Sequence, residues 1–151
     1  MPKLDRVSGL EDHLGYWLRY VSNQVSAAFA RRLEGFDVSV AEWVVLRNLY
    51  DQPLAPSDLA QRMGMTRGGI SKLADRLAGK QLVTREAAAG DRRFQCLVLS
   101  EAGRQLVPEL ARLADRNDAE FFGELSAADR QTIRAAMKVI VRGKLIALPI
   151  D

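Results

Sequence analysis

The stretch SDLAQRMGMTRGGISKLADRL, residues 57–77, decides the fold of this chain. Leu59 and Met63 stand four residues apart and mark a short helix from about Ser57. Gly64 ends it, at the place where a left-handed residue is often needed. Thr66 then offers a cap for a second helix reaching about Gly79. On that helix Ile70, Leu73, Ala74 and Leu77 share one face, which must be core. Gly68, Ser71, Lys72 and Asp75 lie opposite, with Arg67 near the start and Arg76 toward one flank. Two helices joined by a short glycine-bearing turn are a helix-turn-helix, whose second helix enters the DNA major groove while the first lies across the backbone. Gly68 and Gly69 each weaken a helix by roughly 1 kcal/mol relative to alanine. That cost suits a backbone that comes close to a phosphate or base edge; a frayed helix start is the plainer alternative. Asp75 is awkward on such a face, and Lys72 at i−3 is its nearest partner along the chain.

Working outward, Ser39 and Glu42 form a capping box ahead of AEWVVLRNLY, and Asp51-Gln52-Pro53 breaks that helix. Downstream, LVTRE (82–86) and FQCLVLS (94–100) are strand-like, with AAAGDRR between them. They predict a hairpin whose long polar loop projects. The order helix, short helix, turn, helix, hairpin is a helix-turn-helix followed by a β-wing. Upstream, Leu10, Leu14, Trp17, Leu18, Val21, Val25, Phe29 and Leu33 keep helical spacing over about 9–33, with Ser8 and Glu11 in capping-box positions. Beyond the wing, Ser100 and Ser126 are set to cap two more amphipathic helices. The terminal helices carry more apolar face than one small lobe can bury, which predicts a second copy of the chain as partner.

At 151 residues the chain fits one domain, and its 48% apolar content excludes general disorder. No apolar run approaches the roughly 18 residues of a membrane span, and the first residues lack a signal-peptide layout, so a soluble cytoplasmic protein is expected. One cysteine (Cys96) excludes an intramolecular disulfide, and one histidine (His13) leaves little for metal sites or catalytic triads. No nucleophile–base pair, carboxylate dyad or glycine-rich phosphate loop can be assembled. An enzyme is therefore disfavoured, and no cofactor or metal is implied. Residues 62–93 hold eight Lys/Arg against three acids, a balance of +5, whereas the rest of the chain is slightly acidic. A basic block in such a frame fits a polyanion-binding surface, although a solvated helix face gives the same count.

EWVVLRNL, the helix-turn-helix, the LV of KQLVTR, and D-x-R-x5-L-S from Asp91 to Ser100 followed by EAG occur in one order. Over about 65 residues they resemble the MarR (multiple antibiotic resistance regulator) family of winged helix-turn-helix transcription factors. The resemblance implies a mainly α fold with a small hairpin wing, in a single domain spanning 1–151. The lobe falls at about 39–100 and the dimerisation helices at about 9–34 and 101–148. It implies a homodimer on double-stranded DNA with an inverted-repeat operator, acting as a repressor or an activator. By position, Thr66, Arg67, Gly68, Ser71, Lys72 and Arg76 would face the major groove or its phosphates. Arg93 or Arg92 would enter the minor groove from the wing, with Asp91 pairing Arg93 and shaping the turn. An arginine on a projecting hairpin also suits a narrow, electronegative groove on physical grounds. Gln81 departs from the family, which has glycine at the end of the recognition helix.

The family's small aromatic or phenolic ligands sit between the dimer helices and the DNA lobe. His13, Tyr16, Trp17, Trp43 and Arg47, with Arg19, are candidates for such a crevice; the plainer reading makes both tryptophans core. Cys96 is expected to be a small buried residue. Three functions compete: a ligand-released transcriptional regulator, a constitutive or architectural DNA-binding protein, and a protein–protein adaptor. The basic block and the wing arginines disfavour the adaptor.

Overall fold

The computed structural model describes residues 6–88 and 91–143. A 3-10 turn at Leu10–Asp12 leads into α1 (Leu14–Leu33), and a second, Glu34–Phe36, leads out of it. There follow α2 (Val40–Asp51), α3 (Pro56–Met63), α4 (Arg67–Gly79), β1 (Val83–Ala88), β2 (Asp91–Leu99), α5 (Glu101–Phe122) and α6 (Ala127–Gly143). The mainly α fold with a hairpin wing is borne out.

Local chemistry accounts for most of the helix starts. Ser39 Oγ accepts the Glu42 N–H at 3.1 Å while Glu42 Oε1 accepts the Ser39 N–H at 3.0 Å, a reciprocal box. Ser100 Oγ accepts the Gly103 N–H at 3.1 Å, and Ser126 Oγ the Asp129 N–H at 3.0 Å. Ser8 does not form its expected box with Glu11. Asp12 takes the Gly9 N–H at 2.8 Å, and Ser8 Oγ lies 3.3 Å from His13 Nε2 instead. His13 is extended, so the long helix begins at Leu14 rather than near Gly9.

Both helices of the helix-turn-helix end in the same way. Gly64 has φ +62°, the Met65 N–H bonds Ala60 O at 2.9 Å, and α3 stops. At the end of α4, Gln81 has φ +61° and the Leu82 N–H bonds Leu77 O at 3.0 Å. Each is a Schellman closure, with a left-handed residue just past the helix. The core lies between α1, α2, α3, α4, α5 and the hairpin. Leu33, Leu46, Leu59, Ile70, Leu77 and Leu110 have no exposed surface, and each buried side chain of this kind stabilises by roughly 1.5–3 kcal/mol. A side chain at Gly103 would place its Cβ 2.3 Å from the Leu82 carbonyl oxygen, so α5 docks against the hairpin base only with glycine there.

The hairpin differs from its expected form. Pairing runs from Val83↔Leu99 to Ala87↔Gln95, then jumps to Ala88↔Asp91. Residues 92–94 are left without Cα partners in β2 as a bulge, and most of AAAGDRR belongs to the strands rather than to a loop. Backbone pairing can continue through polar and alanine positions that carry no hydrophobic pattern, which is why the sequence signal stopped early. Leu54 adds one bridge to Leu97 on the other edge of β2, with N–H···O distances of 3.2 and 2.8 Å.

Between the terminal helices, buried Asn117 donates to Val25 O at 3.1 Å and accepts from Arg32 Nε at 3.3 Å, while Arg32 pairs with Glu120. This joins α1 to α5. None of the α6 residues is buried within one chain.

Candidate nucleic-acid interface

Helix α4 presents the two faces its sequence predicts. Ile70, Leu73, Ala74 and Leu77 are buried, whereas Arg67, Gly68, Ser71, Lys72, Asp75 and Arg76 are exposed. Thr66 is half-buried, and its Oγ1 accepts the Gly69 N–H at 3.0 Å, so this hydroxyl starts the helix. The two glycines separate. A Cβ on Gly69 would sit 3.0 Å from Met65 Cε and 3.3 Å from Thr66 Oγ1, so the flexible Met65 end and the capping hydroxyl would have to give by a few tenths of an ångström. A Cβ on Gly68 meets nothing within 4 Å, leaving its outer side open to an approaching molecule.

The basic block divides by what each cation does. Arg62, Arg67, Lys72 and Arg76 make no ion pair among the described residues. Lys80 is used internally: its Nζ lies 3.0 Å from Glu42 Oε2, donates to Oε1 at 3.2 Å and also donates to the Asp37 carbonyl. Glu42 is 3% exposed. Burial pushes its carboxyl pKa up, but the Ser39 backbone N–H, the Lys80 ammonium and the Ser39 hydroxyl together hold it below the ordinary value. The pair ties the start of α2 to the end of α4.

Asp75 does not orient Lys72 as expected. Its Oδ1 accepts from Arg85 Nη2 at 2.7 Å, linking α4 to β1. Arg85 stands ten residues away and reaches Asp75 only once the chain has turned back at Gln81, so helical spacing alone could not reveal the pair. On the wing, the backbone of Asp91, Arg92 and Arg93 lies in β2, but their side chains, with the expected Asp91–Arg93 pair, lie outside what is described. Cys96, on the same strand, is half-buried rather than buried.

The candidate ligand residues fall into two groups. Tyr16 and Trp17 stack edge-on at 5.3 Å near the start of α1, and Trp17, 45% exposed, donates from Nε1 to Glu11 O at 2.9 Å. His13 is the extended residue before α1, its Nε2 3.3 Å from Ser8 Oγ. Trp43 instead packs edge-on against Phe29 at 6.2 Å, twelve residues farther along α1, or about 18 Å at the helical rise. It lines an open hollow of about 330 Å³ with Val44, Arg47, Asn48 and Asp51. Arg47 donates to Asp51 Oδ2 at 2.9 Å, and its guanidinium lies 5.7 Å from the Tyr50 ring centre. One chain therefore does not bring His13, Tyr16 and Trp17 to Trp43 and Arg47. Trp17 is not core, and Trp43 only borders it.

Among the described residues, no cluster of three or more His, Cys, Asp or Glu is placed to hold a metal, and no helix is long and apolar enough to cross a membrane.

The MarR family model matches residues 36–93, which spans α2 to the wing. The chain is similar to CouR from Rhodococcus jostii RHA1, solved with p-coumaroyl-CoA: 23% identity, 93% of this chain and 100% of that one, TM-score 0.84. It is similar to BpsR of Bordetella bronchiseptica, whose DNA binding is regulated by 6-hydroxynicotinic acid: 24% identity, 89% and 97% covered, TM-score 0.82. It is similar to MepR of S. aureus in complex with DNA: 23% identity, 87% and 98% covered, TM-score 0.79. At these identities the structural likeness establishes the fold, and the family match covers α2 to α4 and the start of the hairpin, where the candidate interface lies.

Proposed function

With a winged-helix lobe of the MarR family as the premise, we propose that this chain is a DNA-binding transcriptional regulator and not an enzyme, and that it binds an inverted-repeat operator as a homodimer. The observation that carries the reading is the division of α4: an inner face without exposed apolar surface and an outer face on which Arg67, Lys72 and Arg76 are exposed and make no ion pair among the described residues. Arg67, Gly68, Ser71, Lys72 and Arg76, with Thr66 at the helix start, face the major groove or its phosphates. Arg92 or Arg93 enters the minor groove from the wing, with Asp91 shaping the turn.

The dimer uses the surfaces one chain leaves open. Leu10, Leu14 and Leu18 are 65, 79 and 51% exposed, and Ile133, Met137 and Ile140 are 44, 44 and 57% exposed. Apolar stripes of this extent are rare on a monomer and common at obligate interfaces. The apolar residues Leu145, Ile146, Leu148 and Ile150 would extend them, but lie outside the described residues.

The regulator acts as a repressor released by a small aromatic or anionic ligand, with Trp43 and Arg47 as its anchor. The hollow they line supports this, as do ligands recorded for the similar proteins CouR and BpsR. A ligand moves DNA occupancy only by binding the two conformations unequally. The direct test is enrichment of a duplex from a randomised DNA library by the full chain, followed by footprinting on that duplex. Two protected half-sites about one helical turn, roughly 34–36 Å, apart support the reading. No enrichment contradicts it. A panel of aromatic acids that leaves the footprint unchanged would favour the constitutive alternative.

A further inference from the structure

We infer that Asp75 is a positioning residue: its ion pair with Arg85 fixes the angle between recognition helix α4 and the wing. The inference rests on the DNA-binding reading. An acid in the middle of the outward face of α4 repels phosphates, so charge alone gives it no reason to be there. It stands 2.7 Å from Arg85 Nη2, with side chains 66 and 38% exposed. Exposed ion pairs contribute little to stability, so its weight falls on geometry.

The location makes geometry matter. Arg85 is paired with Leu97 across the hairpin, and Leu97 is the residue bridged to Leu54 on the far edge. At this one level β2 is held by Leu54 and β1 by Asp75. Farther out, no polar contact joins the hairpin to the rest of the lobe among the described residues. The strand continues from Arg85 to Ala88, about 10 Å at the strand rise, so a tilt of about 10° at Arg85 moves that end by about 2 Å. A displacement of that size takes a minor-groove side chain out of register. Loss of the pair therefore costs wing contacts without removing any cation.

The test is chosen so that charge and positioning predict opposite signs. Asp75→Ala removes an acid from the DNA face and favours the helix, so on charge and propensity alone it tightens binding and keeps Tm. Positioning predicts affinity lower by about tenfold for a duplex enriched by the wild-type full chain, with Tm not lowered, and within about threefold of wild type for Asp75→Glu, which keeps a carboxylate for Arg85. In an Arg92→Ala/Arg93→Ala background the Asp75→Ala effect should shrink to within about twofold, because the wing it aims no longer contributes. Equal or tighter binding by Asp75→Ala overturns the inference. So does a tenfold loss that persists in the wingless background, which would make Asp75 a direct DNA contact. If the wild-type chain enriches no duplex, the DNA-binding reading itself fails, and the inference with it.

Discussion

Gln81 occupies a left-handed conformation, φ +61°, that a non-glycine residue adopts at a cost of roughly 1–2 kcal/mol. The closure of α4 compels it, because the Leu82 N–H must return to Leu77 O while Ser100 Oγ donates to Gln81 O at 2.7 Å. The departure at Gln81 therefore leaves the helix end where a glycine would put it. Gln81→Gly should raise stability by about 0.5–1 kcal/mol, less than the full strain because glycine also gains freedom in the unfolded chain. Urea unfolding checks this, and a loss of stability would contradict the strain. Glu42 makes a prediction with pH. Its folded pKa lies below the ordinary value of 4.5, so the folded state binds fewer protons than the unfolded state between the two. Its contribution is complete above the unfolded pKa and is lost as pH falls through the folded one. Glu42→Gln should cost about 1–3 kcal/mol at neutral pH, and the mutant's stability should fall less steeply below pH 4.5 than the wild type's. Parallel acid unfolding curves would assign the pH dependence elsewhere.

At the scale of elements, the helix-turn-helix was legible because each of its signals is local. Apolar spacing, Thr66, Gly64 and the Ser39/Glu42 box all act within one turn of chain, and the structure uses each of them. The sequence failed where partners come from elsewhere. Asp75 found Arg85 on another element, whereas Ser8 missed its box locally, because Gly9 and not Ser8 precedes the first turn. The strands outran their hydrophobic pattern because ladder bonds are backbone chemistry. Two predictions belong here. Gly103→Ala forces a methyl against the Leu82 carbonyl and should destabilise by about 1–3 kcal/mol, read as a lower urea midpoint. Arg93→Ala or Arg92→Ala should flatten the salt dependence of DNA binding, by about one counterion per lobe for the residue that reaches the groove. If both keep the parental slope, the wing does not touch DNA.

The whole molecule was only partly legible. Helical spacing identified the apolar stripes of α1 and α6, but not that α6 buries nothing within its own chain. Nor could it show that Trp17 and Trp43 stand too far apart within one chain to share a crevice. Both facts direct attention to a second copy, and light scattering of the full chain at micromolar concentration should give the mass of a dimer. A monomer would leave α1 and α6 without an explanation. The central claim is that α4 reads DNA through its exposed cations. The most direct measurement is an anisotropy titration of an enriched duplex with the wild type, Arg67→Ala and Lys72→Ala at one salt concentration. The account predicts a loss of about 1–3 kcal/mol of binding free energy for a residue that contacts a base, with relaxed preference at that position, and folding unaffected. Wild-type affinity and preference in both variants would contradict it.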